Sequence, residues 1–237
     1  MYPSFEPPAE ETSLAVSHLD PVGGGNHCRV YVHPARPDLI VKVPAERQVL
    51  HLSGGAGRWY KRRFRKLSRT RHLRDFVREV REQFAVRVAE GKHPPFMQEI
   101  VGFVDTDLGP GIVSRAVRTA EGELAPTLRS LANAGKFDRQ MRADLDAFFA
   151  WALASPVVFS DLNPRNIVYG LAADGKPTFV VIDGIGEKNV IPLSSISRRM
   201  NRRAKQRRID YINRELAETQ RRLGQDQWNN TPGGVSL

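Results

Sequence analysis

The sequence predicts an α+β fold in two parts, a small antiparallel sheet followed by a short helical region. Short branched runs separated by glycine turns fill the first half: Val30-Tyr31-Val32, Leu39-Ile40-Val41-Lys42-Val43, and the pair Ile100 to Val104 and Ile112 to Val113. Apolar residues then recur at spacings of three and four through residues 128–153 and again after 197. Between those helical stretches, Val157 to Phe159 and Ile167 to Tyr169 flank a polar turn in which Asp161 and Asn166 stand five residues apart.

At 237 residues, 41% apolar and 8% aromatic, the chain can bury a core as one domain or two small lobes. Cys28 is its only cysteine, which excludes an intramolecular disulfide and a cysteine-rich zinc site and suits a reducing compartment, with the cytoplasm as the default. Residues 1–12 form a proline-rich, acidic leader with no signal-peptide pattern, and no run approaches the roughly 18 to 20 apolar residues of a transmembrane segment. The net charge of +10 is uneven: segments 58–81 and 198–222 carry +9 and +7, leaving −6 for the rest. Arginine dominates both, and its planar fork suits phosphate, so an acidic protein, RNA or an anionic membrane each fit as partners. Solvated helix faces are the alternative.

In chain order, Leu14 to Leu19 reads as a first strand. Gly23-Gly24-Gly25-Asn26-His27-Cys28-Arg29-Val30 fits G-x-G-x-x-G-x-V, with Cys28 in place of the third glycine. Such a loop brings backbone N–H groups close to phosphates because nothing projects from its glycines, although a glycine-rich hairpin without a ligand has the same pattern. Lys42 stands inside a branched apolar strand, where an ammonium needs a partner or a cleft; an edge-strand lysine pointing to water is the other reading. Residues 53–70 are a basic insertion. A helix follows over 71–89, with Leu73, Phe76, Val77, Val80, Phe84 and Val88 as its apolar face. At 100° per residue Glu79 falls roughly 130° and Glu82 about 170° from that face, so Glu79 is the better partner for Lys42, with a solvent-facing glutamate as the alternative. Two strands joined by a turn follow over 100–117, then a crossing near 115–118. Helices come next at 128–134 and 138–153, the second capped by Asp138. A basic helix or helix pair spans 197–223, with Ile209, Ile212 and Leu216 as its seam, and 224–237 forms a disordered tail.

Asp161, Asn166 and Asp183 are oxygen-bearing side chains at the ends of short apolar runs. Phosphoryl transfer from a magnesium nucleotide needs such a set: a carboxylate for the hydroxyl proton, and an amide with a second carboxylate for the hard cation. An Asx-rich turn with no ligand is the bland reading.

Asp161-Leu162-Asn163-Pro164-Arg165-Asn166 resembles the D-L-x-P-x-N catalytic loop of protein kinase-like folds, and Ile182-Asp183-Gly184 resembles their metal-binding element. Gly25-Asn26-His27, Arg78-Glu79-Val80, Val104 to Gly109, Asp161 to Pro164 and Ile191-Pro192-Leu193 resemble the PhoP regulatory network protein YrbL family in particular. The resemblance implies a two-lobed fold, with an N-lobe over 13–117 and a helical C-lobe over 118–223, that uses ATP and Mg²⁺. Asp161 would take or orient the proton of an unknown phosphoacceptor. Asn166 and Asp183 would hold the metal, Gly23, Gly25, Asn26 and Lys42 the phosphates, and Glu79 would fix Lys42. Phe159-Ser160 depart from the usual His-Arg before the aspartate, and Asn163 replaces a lysine. A catalytically silent, nucleotide-holding regulatory module is therefore the alternative to a phosphotransferase.

Overall fold

The structure, a computed structural model, describes residues 13–25, 28–45, 74–172, 175–187 and 197–224. The leader, Asn26, His27, the insertion 53–70, Leu73, residues 188–196 and the tail from 225 lie outside the described residues. The chain divides into two compact units: Met1–Arg74 with Ile100–Ala116, and Asp75–Glu99 with Val117–Leu237.

The first unit is an antiparallel sheet of β1 (Gly23–Gly24), β2 (Cys28–His33), β3 (Arg36–Pro44), β4 (Ile100–Thr106) and β5 (Gly109–Arg115), in the order β1-β2-β3-β5-β4. Alternation along the strands puts Tyr31, Val41 and Val43 on one face, where they pack with Val16, Leu14, Leu19, Val104 and Leu108. The expected first strand is reduced to one bridge between Leu14 and Thr106. The amides of Val16 and Ser17 bond instead to the carboxylate of Asp107, at 2.9 and 3.2 Å, and so leave no ladder to extend. The Ser17 hydroxyl also donates to Asp107, and these bonds hold its carboxyl below the usual range.

The second unit contains α1 (Arg74–Glu90), α2 (Leu128–Asn133), α3 (Arg139–Ala154), the hairpin of β6 (Ile167–Leu171) and β7 (Pro177–Val181), and α4 (Arg198–Arg222). Its core joins Leu145, Phe148 and Phe149 of α3 to Leu162, Ile167, Phe179 and Val181, with Ile209, Ile212 and Leu216 of α4. Asp138 caps α3 by accepting from Met141 N at 2.8 Å. The expected helix or helix pair over 197–223 is one helix, Arg198–Arg222, with Ser197 as its cap.

The expected packing of α1 is reversed. Val77, Phe84 and Val88 are 54%, 66% and 84% exposed, whereas Glu79, Gln83 and Val86 are 6%, 3% and 2% exposed. The buried polar side is supplied with partners: Gln83 Nε2 donates to Gln98 O at 2.7 Å, and Glu82 accepts from Val158 N at 2.7 Å. A helix can turn polar residues inward at little cost when each buried group is hydrogen-bonded. The same contacts explain why no strand forms over 157–159. Val158 N serves Glu82 and its carbonyl serves Gly186, leaving one bridge between Phe159 and Ile185.

Candidate active site

In the sheet, Gly23 pairs with Val30, Val30 with Lys42, and Lys42 with Ile112, so the glycine turn and the lysine share one rung and one face. Lys42 is 6% exposed on that face. The hairpin closes through Gly25 N to Cys28 O at 2.9 Å. Gly24 has φ +144°, and a Cβ there would stand 2.6 Å from the Cys28 carbonyl oxygen. The middle glycine is thus the one the turn demands, beside the two singled out by motif spacing.

In the second unit, one hydrogen-bonded knot holds Asp161, Asn166 and Asp183. The amides of Ser160 and Asp161 both donate to the Gly184 carbonyl, at 2.8 and 3.0 Å. Asn166 Nδ2 donates to the Asp161 carbonyl at 2.9 Å, and the Asn166 carbonyl accepts from Ile182 N at 2.9 Å. Asn163 Oδ1 accepts from Arg165 N at 2.9 Å, closing an Asx turn. Gly184 donates its N–H to Asp183 Oδ1 at 2.6 Å and has φ +76°. A Cβ at Gly184 would press on the Asp161 carbonyl and lie 3.0 Å from Asn166 Nδ2.

The chemistry of this set is oxygen donation. With Nδ2 of Asn166 spent on the backbone, its Oδ1 is the atom left for a cation, and Asp183 supplies a carboxylate. Among the described residues no group of three or more His, Cys, Asp or Glu side chains is assembled. Asn166 and Asp183 would offer one amide oxygen and one carboxylate to a hard cation such as Mg²⁺, which completes its octahedron with phosphate and water. Lys42 and Gly23 lie on one rung of the first unit's sheet with Val30 between them; the backbones of Asp161, Asn166 and Asp183 are tied together in the second unit; Glu79 is buried on α1.

Sequence reasoning missed the residues that hold this knot from behind. Lys205 Nζ donates to Ser155 O at 2.7 Å and lies 5.6 Å from the centre of the Phe159 ring. Asn201 Nδ2 reaches the carbonyls of Pro156 and Val157, at 3.0 and 3.1 Å. With Glu82 on Val158 N, the backbone of 155–158 is gripped by three side chains from two helices. Burial pushes Lys205 down to about 8, opposed by the nearby Glu82 and Glu90 carboxylates; burial pushes Glu82 up, opposed by its bond from Val158 and by Lys205. A signal did exist: Asn201 and Lys205 continue the seam of Ile209, Ile212 and Leu216 at spacings of four and three, so two polar residues fall where apolar ones belong.

The family model for the PhoP regulatory network protein YrbL matches residues 14–217. The chain belongs to the YrbL family. The YrbL proteins of Escherichia coli (strain K12) and Shigella flexneri are each 24% identical over 189 residues, covering 78% of this chain and 79% of theirs. Among solved structures, Rad53 1-466 in complex with AMP-PNP aligns at 14% identity and TM-score 0.43, covering 72% of this chain and 38% of that one. The Mycobacterium tuberculosis PknI kinase domain aligns at 16% identity and TM-score 0.38, covering 70% and 56%. This YrbL chain therefore spans well under two thirds of either solved chain. Its own elements run in kinase order: glycine hairpin, lysine strand, glutamate helix, strand pair, helices, D-L-N-P-x-N turn and D-G. The fold is α+β, with its motifs in the order that the resemblance to kinase-like proteins implies, and no helix among the described residues is long and apolar enough to cross a membrane.

Proposed function

We propose that this YrbL chain is an ATP- and Mg²⁺-dependent phosphotransferase acting on a small molecule or a restricted protein target. The observation that carries the reading is the knot that ties the backbones of Asp161, Asn166 and Gly184 together. It fixes a base candidate and two cation ligands relative to one another before any ligand arrives, which is the preorganisation that phosphoryl transfer relies on. Asp161 accepts the hydroxyl proton of the phosphoacceptor or orients it. Asn166 and Asp183 hold Mg²⁺, whose charge offsets that of the phosphates. Lys42 binds the α- and β-phosphates, Glu79 fixes Lys42, and the turn of Gly23, Gly25 and Asn26 lies over the phosphates.

A second reading, a nucleotide-holding regulatory module that performs no transfer, is favoured by Phe159-Ser160. Ser160 Oγ is buried with no hydrogen-bond partner among the described residues, where a kinase loop usually carries a working arginine. Two measurements test the readings, and the second separates them. Thermal shift with ATP should rise only with Mg²⁺ and lose the rise in Asp183→Asn; no response to any nucleotide defeats both. Release of γ-phosphate, present in the parent and absent in Asp161→Asn, selects the enzyme; its absence in the parent selects the module.

A further inference from the structure

We infer that the outward face of α4 is a docking surface for single-stranded nucleic acid, with guanidinium groups on the phosphates and Tyr211 beneath a base. Arg198, Arg199, Arg202, Arg203, Arg207 and Arg208 are all exposed, while Asn201 and Lys205 between them, and Ile209 after them, are buried. No carboxylate occurs along α4 before Asp210, and among the described residues none pairs with any of the six arginines.

This arrangement works against the helix that carries it. Arg198 and Arg202, Arg199 and Arg203, and Arg203 and Arg207 are like charges four residues apart, which repel. The first turn contains no acidic residue, so cations crowd the end where the helix dipole is already positive. A solvated face selected only for solubility would mix its signs. The cost is offset once a polyanion lies against the face.

The surface also selects among polyanions. A helix that settles into a membrane surface needs an outward apolar side, and here Ile209, Ile212 and Leu216 are buried in the core. A protein interface concentrates its apolar area in a charge-poor centre, whereas the described outward face offers only Met200 and Tyr211, 44% and 45% exposed, amid arginines. Arg199, Arg203 and Arg207 form a row at intervals of about 6 Å, and Tyr211 lies one turn beyond Arg207. The Glu215 carboxylate, paired with Arg129 at 3.1 Å, raises the pKa of the Tyr211 phenol, and Arg129 and Arg165 oppose it more weakly. A tyrosine set in an arginine row is the stacking platform with a cationic track that single strands use.

The test is fluorescence anisotropy of the full chain with a 20-nucleotide oligouridine, an oligothymidine of equal length, a duplex of equal length, and vesicles containing anionic lipid. Both single strands should bind, with log K falling by about 0.7 per phosphate for each log unit of salt. Replacing Arg199, Arg203 and Arg207 together by Gln should weaken binding at least tenfold and lower the slope by about 2. Tyr211→Ala should weaken it about tenfold with no change of slope. The arginine variant should keep or raise its thermal midpoint and keep any ATP response, so its effect is not one of folding or of the phosphotransferase reading. No single-strand binding at low salt, equal binding by the arginine variant, an unaffected Tyr211→Ala, or tighter binding to duplex or vesicle would each overturn the inference.

Discussion

Gly184 combines φ +76° with a backbone packed against the Asp161 carbonyl and the Asn166 amide, so any side chain there meets both strain and a clash. Gly184→Ala should destabilise the chain by roughly 2 kcal/mol in urea melts and abolish the Mg²⁺-dependent ATP shift. Asn166→Asp tests the same knot in a different way. It keeps an oxygen for the cation but removes the donor to Asp161 O, and should cost about 1 to 2 kcal/mol even without nucleotide. At this scale the spacing of Asp161, Asn166 and Asp183 was legible because the motif is local. Glu82 was not legible: its partner, Val158 N, lies 76 residues away, and no periodicity reports a bond to a distant amide.

The helices differ in how openly they were written. α3 was readable from its N-cap and from apolar spacing that coincides with its buried face. α1 misleads because its apolar face and its buried face are different faces, the second carrying polar side chains such as Glu82 and Gln83 that bond to distant backbone. Two substitutions distinguish these faces. Val86→Ala should cost about 2 kcal/mol, whereas Phe84→Ser should stay within about 0.5 kcal/mol, both read from urea midpoints. α4 can be tested by titration. Burial sets the pKa of Lys205 at about 8 in the folded chain against an ordinary 10.5, so between those values the unfolded chain holds the proton more strongly. Stability contributed by this group therefore rises with pH across that window, by at most about 3 kcal/mol, and Lys205→Met should flatten the rise. Glu82 has the opposite sign: its raised value favours the fold below its ordinary 4.5 and less so as pH climbs through the folded value.

At the scale of the whole molecule, element order and family were legible because the lysine strand, the D-L-N-P-x-N turn and the D-G pair are short and ordered. The assignment of segments to units was not, since that depends on contacts between distant segments. Asp75–Glu99 belongs with Val117–Leu237, although the strands of the first unit lie on either side of it in sequence. Removing residues 197–237 should expose the α3 and 155–158 backbone that Lys205 and Asn201 cover. Limited proteolysis should then cut that region far faster than in the full chain, while the sheet of the first unit stays protected. This interleaving also affects biosynthesis. A ribosome adding about 5 to 20 residues per second releases α1 several seconds before Val158, and later still Lys205, have been translated. Throughout that interval Glu82 of the nascent helix lacks its Val158 partner, while Val77, Phe84 and Val88 lie bare on the other side.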